Sequence, residues 1–449
     1  MESTRCHMKL LLIEPSNRYT GLKSKFHVPP LALGVLASLV PPDWEVEILI
    51  EPKDNIHYDA EVDLVGITAA TNNVKRGYQI ADEFRARGKK VLMGGIHPTL
   101  MPEEALSHCD AVCIGEAESV FGTILEDFEK GILKKTYKQR DYFDLSLYKT
   151  PRRDLMALHR SFFFDVGTVE TSRGCPYDCD FCTVSSIHGR KIRHRPLENL
   201  IPEIESIHNR IIFFIDDNII SNIDHAKKFC RELIPLKKRW TGQASISIAK
   251  DRELIKLASD SGCFGLIIGL ESVVKEGFEK YNKSVKSMHE LKETIKILKD
   301  NGIGVLATMV FGHDFDTTDT MQESLENLLE LELTTASLGI LVPYPGTKLA
   351  ERLKSEGRVL TDNWDYYDIN NLVFKPKNFT CEEFIEEMRS LRENYFSLRS
   401  ICSRTFNYRG NSLWIAFGLN LAMRKHNKIN SLLDFEKGEE ETSAEAFAY

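Results

Sequence analysis

Ser172-Arg173-Gly174-Cys175-Pro176-Tyr177-Asp178-Cys179-Asp180-Phe181-Cys182 follows directly on an apolar run at 166–171 with the composition of a buried strand. Three thiols spaced C-x3-C-x2-C therefore stand on a loop at a strand end. With ten cysteines in 449 residues, chance would supply this triplet about 0.005 times. A structural zinc ion would need a fourth ligand, for which His188 is close enough in sequence, and unpaired structural thiols are the blander alternative. Three thiolates on a short loop instead suit a 4Fe-4S cluster with one iron left open to a substrate-like ligand.

Working outward, five further runs resemble strands, at 211–216, 244–247, 264–271, 305–311 and 336–342, each followed by a helical pattern or a turn. With 166–171 they make six units, the count of a partial parallel barrel rather than the eight of a closed one. Polar residues gather where these strands end. Phe213-Phe214-Ile215-Asp216-Asp217-Asn218 closes the second, Ser247 the third, and Gly269-Leu270-Glu271-Ser272 the fourth. Carboxylates at such positions are costly to bury without partners, which favours a ligand or hydrogen-bonding role for Asp216 or Asp217 over simple helix capping. His313, in the turn after the fifth strand, reads as a structural turn histidine.

Towards the amino terminus, strands at 9–13, 46–50, 63–68, 90–93 and 111–114 alternate with helices at 31–40, 74–87 and 119–129. Five strands with helical crossovers predict a doubly wound α/β sheet, with Gly66, Gly94, Gly95 and Gly115 at the carboxyl edge where such sheets bind ligands. The stretch 136–165 has alternating charge and aromatics without a period and is expected to be a linker or docking arm. The organisation is thus a Rossmann-like domain at 1–135, a linker at 136–165, a partial barrel at 166–345 and a mostly helical carboxyl-terminal domain at 346–449.

Composition agrees with a globular chain: 42% apolar, 28% charged and 9% aromatic residues, with 58 basic against 66 acidic residues and a net charge of -8. No field suited to nucleic acid is expected. The amino terminus has an unbroken apolar run of only four residues before Glu14, so no secretory signal is expected, a cytoplasmic location is, and the cysteines should be thiols or metal ligands. No run reaches the length of a membrane span. Residues 413–419 read as a buried core helix, with a lid or a membrane-surface helix as the alternative.

The C-x3-C-x2-C loop with an aromatic residue before its last cysteine, at the end of a first barrel strand, resembles the radical S-adenosylmethionine superfamily. This resemblance implies that Cys175, Cys179 and Cys182 ligate a 4Fe-4S cluster. The open iron then chelates S-adenosylmethionine, which reductive cleavage converts to methionine and a 5'-deoxyadenosyl radical. It further implies that Asp216, Asp217, Ser247 and Glu271 contact S-adenosylmethionine, and that a reducing partner such as a flavodoxin or ferredoxin supplies electrons. Pro29-Pro30-Leu31-Ala32-Leu33-Gly34, Gly94-Gly95-Ile96-His97-Pro98-Thr99 and Gly115-Glu116-Ala117-Glu118 resemble the cobalamin-binding subclass. Thr68, Gly94, Gly95 and Gly115 are the implied cobalamin contacts.

The Asp-x-His-x-x-Gly signature that supplies a lower cobalt histidine is missing from Glu14-Pro15-Ser16-Asn17-Arg18-Tyr19, and His97 is no obvious substitute. Residues 343–347, 357–358, 364–365 and 395–400 resemble the extension of hopanoid C-methylases. The expected activity is cobalamin-dependent methylation of an unactivated carbon of a small molecule or lipid. A cyclase, hydroxylase or carbon–carbon bond-forming enzyme with the same cofactors is the first alternative, and a non-catalytic iron-sulfur redox sensor the second. A methylthiotransferase is disfavoured, because Cys6, Cys109 and Cys113 lack the spacing of a second cluster.

Overall fold

The computed structural model describes residues 8–17, 30–51, 54–156, 166–281, 285–405 and 411–426, with the side chains of 411–415 left aside. Cys6, Arg18, Tyr19 and Pro29, together with the end of the predicted linker, lie outside the described residues. The chain divides into two compact units. The first comprises Met1–Asp217 with Tyr344–Lys348 and Asn363–Asp365, and the second comprises Asn218–Pro343, Leu349–Asp362 and Tyr366–Tyr449.

The first unit is organised by strands β1 (Met8–Glu14), β2 (Trp44–Ile50), β3 (Leu64–Thr68), β4 (Lys90–Gly94), β5 (Ala111–Ile114) and β6 (Thr136–Lys138). They form one parallel sheet in the order β2-β1-β3-β4-β5-β6. Because side chains alternate along a strand, the continuous apolar run of β1 serves two cores. Leu10 and Leu12 pack with helix Leu31–Leu39 residues on one face, while Leu11 and Ile13 pack with Ile80 and Phe84 on the other. Gly66 is required by this packing, since a Cβ there would lie 2.8 Å from Leu12 Cδ2.

Six strands replace the five expected. The sixth, Thr136–Lys138, was assigned to the linker because three residues are too few to show a period; only Tyr137 is buried, its hydroxyl donating to Asp127 at 2.9 Å. The next part of the linker does dock: the Arg152 N–H donates to Gly34 O, and a Cβ at Gly34 would meet Met156 Cε at 2.7 Å.

Strands β7 (Val166–Val169), β8 (Ser172–Arg173), β9 (Arg193–His194) and β10 (Ile211–Phe214) complete the first unit. β8 and β9 form a two-residue antiparallel ribbon, and β10 pairs with β7 in parallel. The second unit contributes β11 (Arg239–Ala244), β12 (Cys263–Glu271), β13 (Gly304–Phe311) and β14 (Thr335–Ile340). In the second unit the strands run in parallel in the order β14-β13-β12-β11, and with β7 and β10 of the first unit they number the six anticipated. Helices Arg252–Asp260, Met288–Asp300 and Thr318–Glu330 supply the crossovers in the second unit, and helices Cys381–Tyr395, Leu398–Thr405 and Asn411–His426 follow.

The expected strand at 244–247 is displaced. β11 ends at Ala244 and Ser247 lies in a 3-10 turn, Ile246–Lys250, which Ser245 caps by accepting the Ser247 N–H at 3.2 Å. The strand was hidden because its polar members, Thr241 and Gln243, alternate with buried Trp240, Gly242 and Ala244, while the more apolar ISIA segment drew the assignment.

Beneath β7 sits a buried ion cluster. Glu203, with no side-chain exposure, accepts from Arg195 at 2.5 Å and from Arg153 at 2.7 Å, and Arg195 lies 4.0 Å above the Tyr148 ring. Removing one partner of such a group strands a charge in the interior. Glu203→Gln should lower unfolding free energy by about 3 kcal/mol, read as a shift of the urea midpoint at constant slope. Glu203→Gln combined with Arg195→Met should recover part of that loss; a single variant as stable as the wild type would contradict the account.

Candidate active site

The cysteine loop leaves the sheet at β8 and returns at β9. Gly174 opens it at φ 92°, where a Cβ would stand 2.6 Å from Lys191 O, so only glycine fits. The Cys175 N–H donates to Gly189 O at 3.4 Å and the Cys182 N–H to Cys179 O at 3.2 Å. All three cysteines are half-buried thiols outside any disulfide. Residues 344–348 steady the loop from outside: Lys348 pairs with Asp178 at 2.7 Å, and Ser186 Oγ donates to Gly346 O at 3.0 Å.

Among the described residues no three His, Cys, Asp or Glu side chains converge as ligands of one metal ion. His188, the zinc alternative's fourth ligand, has Nδ1 2.9 Å from Glu116 Oε1. Three thiolates bound to separate irons of a cubane need not converge on one point, so the donor set fits a cluster. Burial pushes the Cys175 thiol up, and the Asp217 carboxylate adds to this; a bound metal reverses that balance by favouring the thiolate.

Asp216 and Asp217 are adjacent but differently placed. Asp216 is fully buried and its carboxylate accepts the Thr171 N–H, the Thr171 hydroxyl at 2.7 Å and the Ser172 hydroxyl at 2.5 Å. It therefore ties the end of β10 to the start of the cysteine loop. Burial still raises it to about 6. Asp217 is half-buried and faces the loop, where the Gly174 N–H donates to it; burial raises its pKa, opposed by His188.

In the second unit, Glu271 ends β12 at φ 61°, beside a register shift against β13. A non-glycine residue held in the left-handed region costs about 1–3 kcal/mol and marks a site whose surroundings over-determine it. Burial alone pushes its carboxyl up to about 7, and no cation pairs with it among the described residues. This orphaned acid fits the amino group of S-adenosylmethionine. Ser247 lies in the 3-10 turn beyond β11 instead of at the strand end.

His313 is buried against the Phe315 ring, with Nδ1 3.2 Å from the Tyr281 hydroxyl, as expected of a structural turn histidine. Asp316 was not singled out from the sequence, because its FGHDFD context reads as an ordinary turn. One oxygen, Oδ2, accepts both the Gly312 N–H at 2.7 Å and the His313 N–H at 2.9 Å, and burial raises the group to about 7.

Thr68, Gly94, Gly95 and Gly115 all lie half-buried at the carboxyl edge of the first sheet. Two of the glycines answer to the chain itself. Gly95, at φ 96°, has no room for a Cβ beside Ala69 and Thr68, and Gly115, at φ 91°, has none beside Gln139. Gly94 differs: a Cβ there would make only ordinary contact with Cys113 at 3.6 Å. Neither backbone nor packing demands that glycine, which fits the close approach of a flat cofactor. His97 is fully buried, with Nδ1 3.3 Å from Thr71 Oγ1, Nε2 3.5 Å from Glu104 and its ring edge-on to Trp364. It is not presented to a ligand at the sheet edge. Cys109 and Cys113 are buried, and burial pushes both up to about 12.

Residues 169–331 match the radical SAM superfamily and residues 18–125 match the B12 binding domain. The bacteriochlorophyllide d C-12(1)-methyltransferase of Chlorobaculum tepidum is 28% identical over 93% of this chain and 94% of its own. The C-8(2)-methyltransferase of the same organism is 29% identical over 90% and 92%. The hopanoid C-2 methylase of Rhodopseudomonas palustris is 23% identical over 75% and 66%. In fold, the radical S-adenosylmethionine methyltransferase TsrM of Kitasatospora setae, solved with cobalamin and a 4Fe-4S cluster, superposes with a TM-score of 0.70 over 94% of this chain and 99% of its own, at 17% identity.

Raised carboxyls make stability depend on pH. A group whose folded pKa exceeds its unfolded value near 4 contributes fully below that value and loses its contribution as pH rises through the folded one. For Asp316 the window is therefore about pH 4 to 7. Asp316→Asn keeps one oxygen for both N–H donors, so it should remove on the order of 2 kcal/mol of the decline over that window. Urea titrations of wild type and variant at pH 5 and pH 8 measure this; parallel pH profiles would contradict it.

Proposed function

Because the chain belongs to the radical S-adenosylmethionine enzymes that carry a cobalamin-binding domain, we propose that it methylates an unactivated carbon of an apolar small molecule. The observation that carries this reading is the C-x3-C-x2-C loop after β7, held in the same compact unit as the open carboxyl edge of the first sheet. When bound, the cluster and S-adenosylmethionine supply a 5'-deoxyadenosyl radical, and cobalamin carries the methyl group.

The chain's own part is to bind and orient. Cys175, Cys179 and Cys182 hold the cluster. Asp217, which accepts the Gly174 N–H next to Cys175, and the carboxyl of Glu271, which has no ion pair among the described residues, take the polar groups of S-adenosylmethionine, with Ser247 contributing less. Asp216 acts behind them by fixing Thr171 and Ser172. Thr68, Gly94, Gly95 and Gly115 would receive cobalamin, and His97, buried against Thr71, Glu104 and Trp364, would not serve as a ligand to it. Residues 1–135 and 166–345 are the corresponding functional regions.

The substrate class to test first is the tetrapyrrole, since both bacteriochlorophyllide methyltransferases match over at least nine-tenths of each chain; a polycyclic lipid is second, after the hopanoid methylase. A flavodoxin or ferredoxin is the proposed reductant. Among the described residues no helix is long and apolar enough to cross a membrane, and a cytoplasmic location is proposed. Ring closure is the competing outcome, because anaerobic magnesium-protoporphyrin IX monomethyl ester cyclase of Cereibacter sphaeroides is 24% identical over 76% of this chain.

Anaerobic incubation with methyl-labelled S-adenosylmethionine, reductant and candidate substrates should release 5'-deoxyadenosine and give a product bearing the label. Changing all three cysteines to Ala should abolish the iron-sulfur chromophore and the 5'-deoxyadenosine. Retained iron in that variant would overturn the cluster assignment, and an unlabelled product of altered mass would favour the cyclase reading.

A second expectation concerns cobalt. The electron paramagnetic resonance spectrum of bound cob(II)alamin should lack superhyperfine triplets, and His97→Ala should leave it unchanged. Triplets abolished by His97→Ala would overturn the ligand-free assignment.

A further inference from the structure

The loop at 174–192 is closed at its base by the β8–β9 ribbon, in which Ser172 faces His194 and Arg173 faces Arg193. Two guanidinium groups are thus direct neighbours at the foot of the loop that carries the cysteines, an arrangement that repels unless carboxylates intervene. The carboxylate that meets both comes from the turn after β5. Glu116 makes a two-armed contact with Arg193, Oε1 to Nη2 at 2.5 Å and Oε2 to Nη1 at 2.9 Å, and lies 3.7 Å from Arg173 Nη1. Arg173 is held further by Glu118 at 2.5 Å and Glu170 at 2.9 Å.

Glu116 also reaches into the loop, accepting from His188 Nδ1 at 2.9 Å, and accepts the Phe143 N–H at 2.9 Å. Its side chain is 1% exposed, so these bonds act without competition from water. The turn itself is pinned: the Gly115 N–H donates to Thr99 Oγ1 at 3.1 Å and the Glu116 N–H to Gln139 Oε1 at 2.7 Å. A single buried acid of the first domain therefore touches the residue before the cysteine loop, a residue within it and the residue that ends it.

We propose that Glu116 is a positioning residue for the cysteine loop, acting through Arg173, His188 and Arg193 to set the loop's base from the end of β5. The inference rests on the cluster reading above. Potentials and lability of iron-sulfur clusters respond to hydrogen bonding and solvent access, so a loosened base should register at the cluster. An amide in place of the carboxylate turns an NH2 group towards guanidinium or imidazole donors, leaving donors facing donors.

The test uses the full chain as wild type, Glu116→Gln, Arg193→Lys and, as a surface control, Lys130→Met. In metal-free protein, hydrogen–deuterium exchange over 172–194 should rise roughly tenfold in Glu116→Gln, the size expected for one lost charge-assisted bond, with 64–68 and 90–94 unchanged. After anaerobic reconstitution to equal iron content, a chelator should strip iron about tenfold faster, and the reduction midpoint should differ from wild type. Arg193→Lys keeps the charge but loses the two-armed geometry, so its values should be intermediate; it carries the test if Glu116→Gln does not fold.

Unchanged exchange over 172–194, or an equal rise in all segments, overturns the proposal. Faster exchange with unaltered iron loss and midpoint makes Glu116 a fold-stabilising residue only, and overturns it as well. A wild type that binds no cluster defeats the cluster reading instead, while the metal-free exchange still decides the clamp.

Discussion

A loop with one short helix has to hold three thiols still, and a ribbon two residues wide is what closes it. Ser172–Arg173 against Arg193–His194 is too short to be stable alone. It persists because its surroundings supply what the ribbon lacks: Asp216 holds Ser172, the carboxylates of Glu116, Glu118 and Glu170 neutralise Arg173 and Arg193, and Gly174 permits a turn no side chain could make. Burial holds the penalty for breaking any of these contacts high, since each would leave a charge or a polar group without water. The same desolvation that opposes Glu116 is outweighed by its cationic partners, which hold it down to about 2.

The acids of the site sort by whether a cation reaches them. Glu116 is surrounded by cationic donors and stays ionised. Asp216 receives only neutral donors and sits at about 6, burial alone raises Glu271 to about 7, and burial raises Asp316 to about 7 against partial opposition from Lys280. Glu116 is therefore charged throughout the working pH range, whereas the carboxyls at the ends of β12 and β13 are poised near neutrality. Poised groups of this kind concentrate where ligands bind, because a bound cation repays a cost the empty protein carries. Glu271 adds backbone strain to that cost.

Much of this was legible from residues alone. Covalent spacing is local, so C-x3-C-x2-C announced Cys175, Cys179 and Cys182 whatever the rest of the chain did. Strands covered on both faces carry continuous apolar runs, so β1, β3, β4 and β5 stood out. Failures came where the period was too short or too polar: Tyr137 is the lone buried residue of β6, and Thr241 and Gln243 mask β11.

The sequence by itself determined the closely spaced thiol triplet and the two parallel sheets, because these follow from spacing and from side-chain periodicity. Only the tertiary structure decided which acids the chain's own donors engage. Asp216 and Asp217 are indistinguishable as letters, yet one is consumed by Thr171 and Ser172 while the other faces the loop. Glu116 meets Arg193 across 77 positions of chain. Long-range pairing of charges depends on burial and direction, and neither is written in the local order of residues.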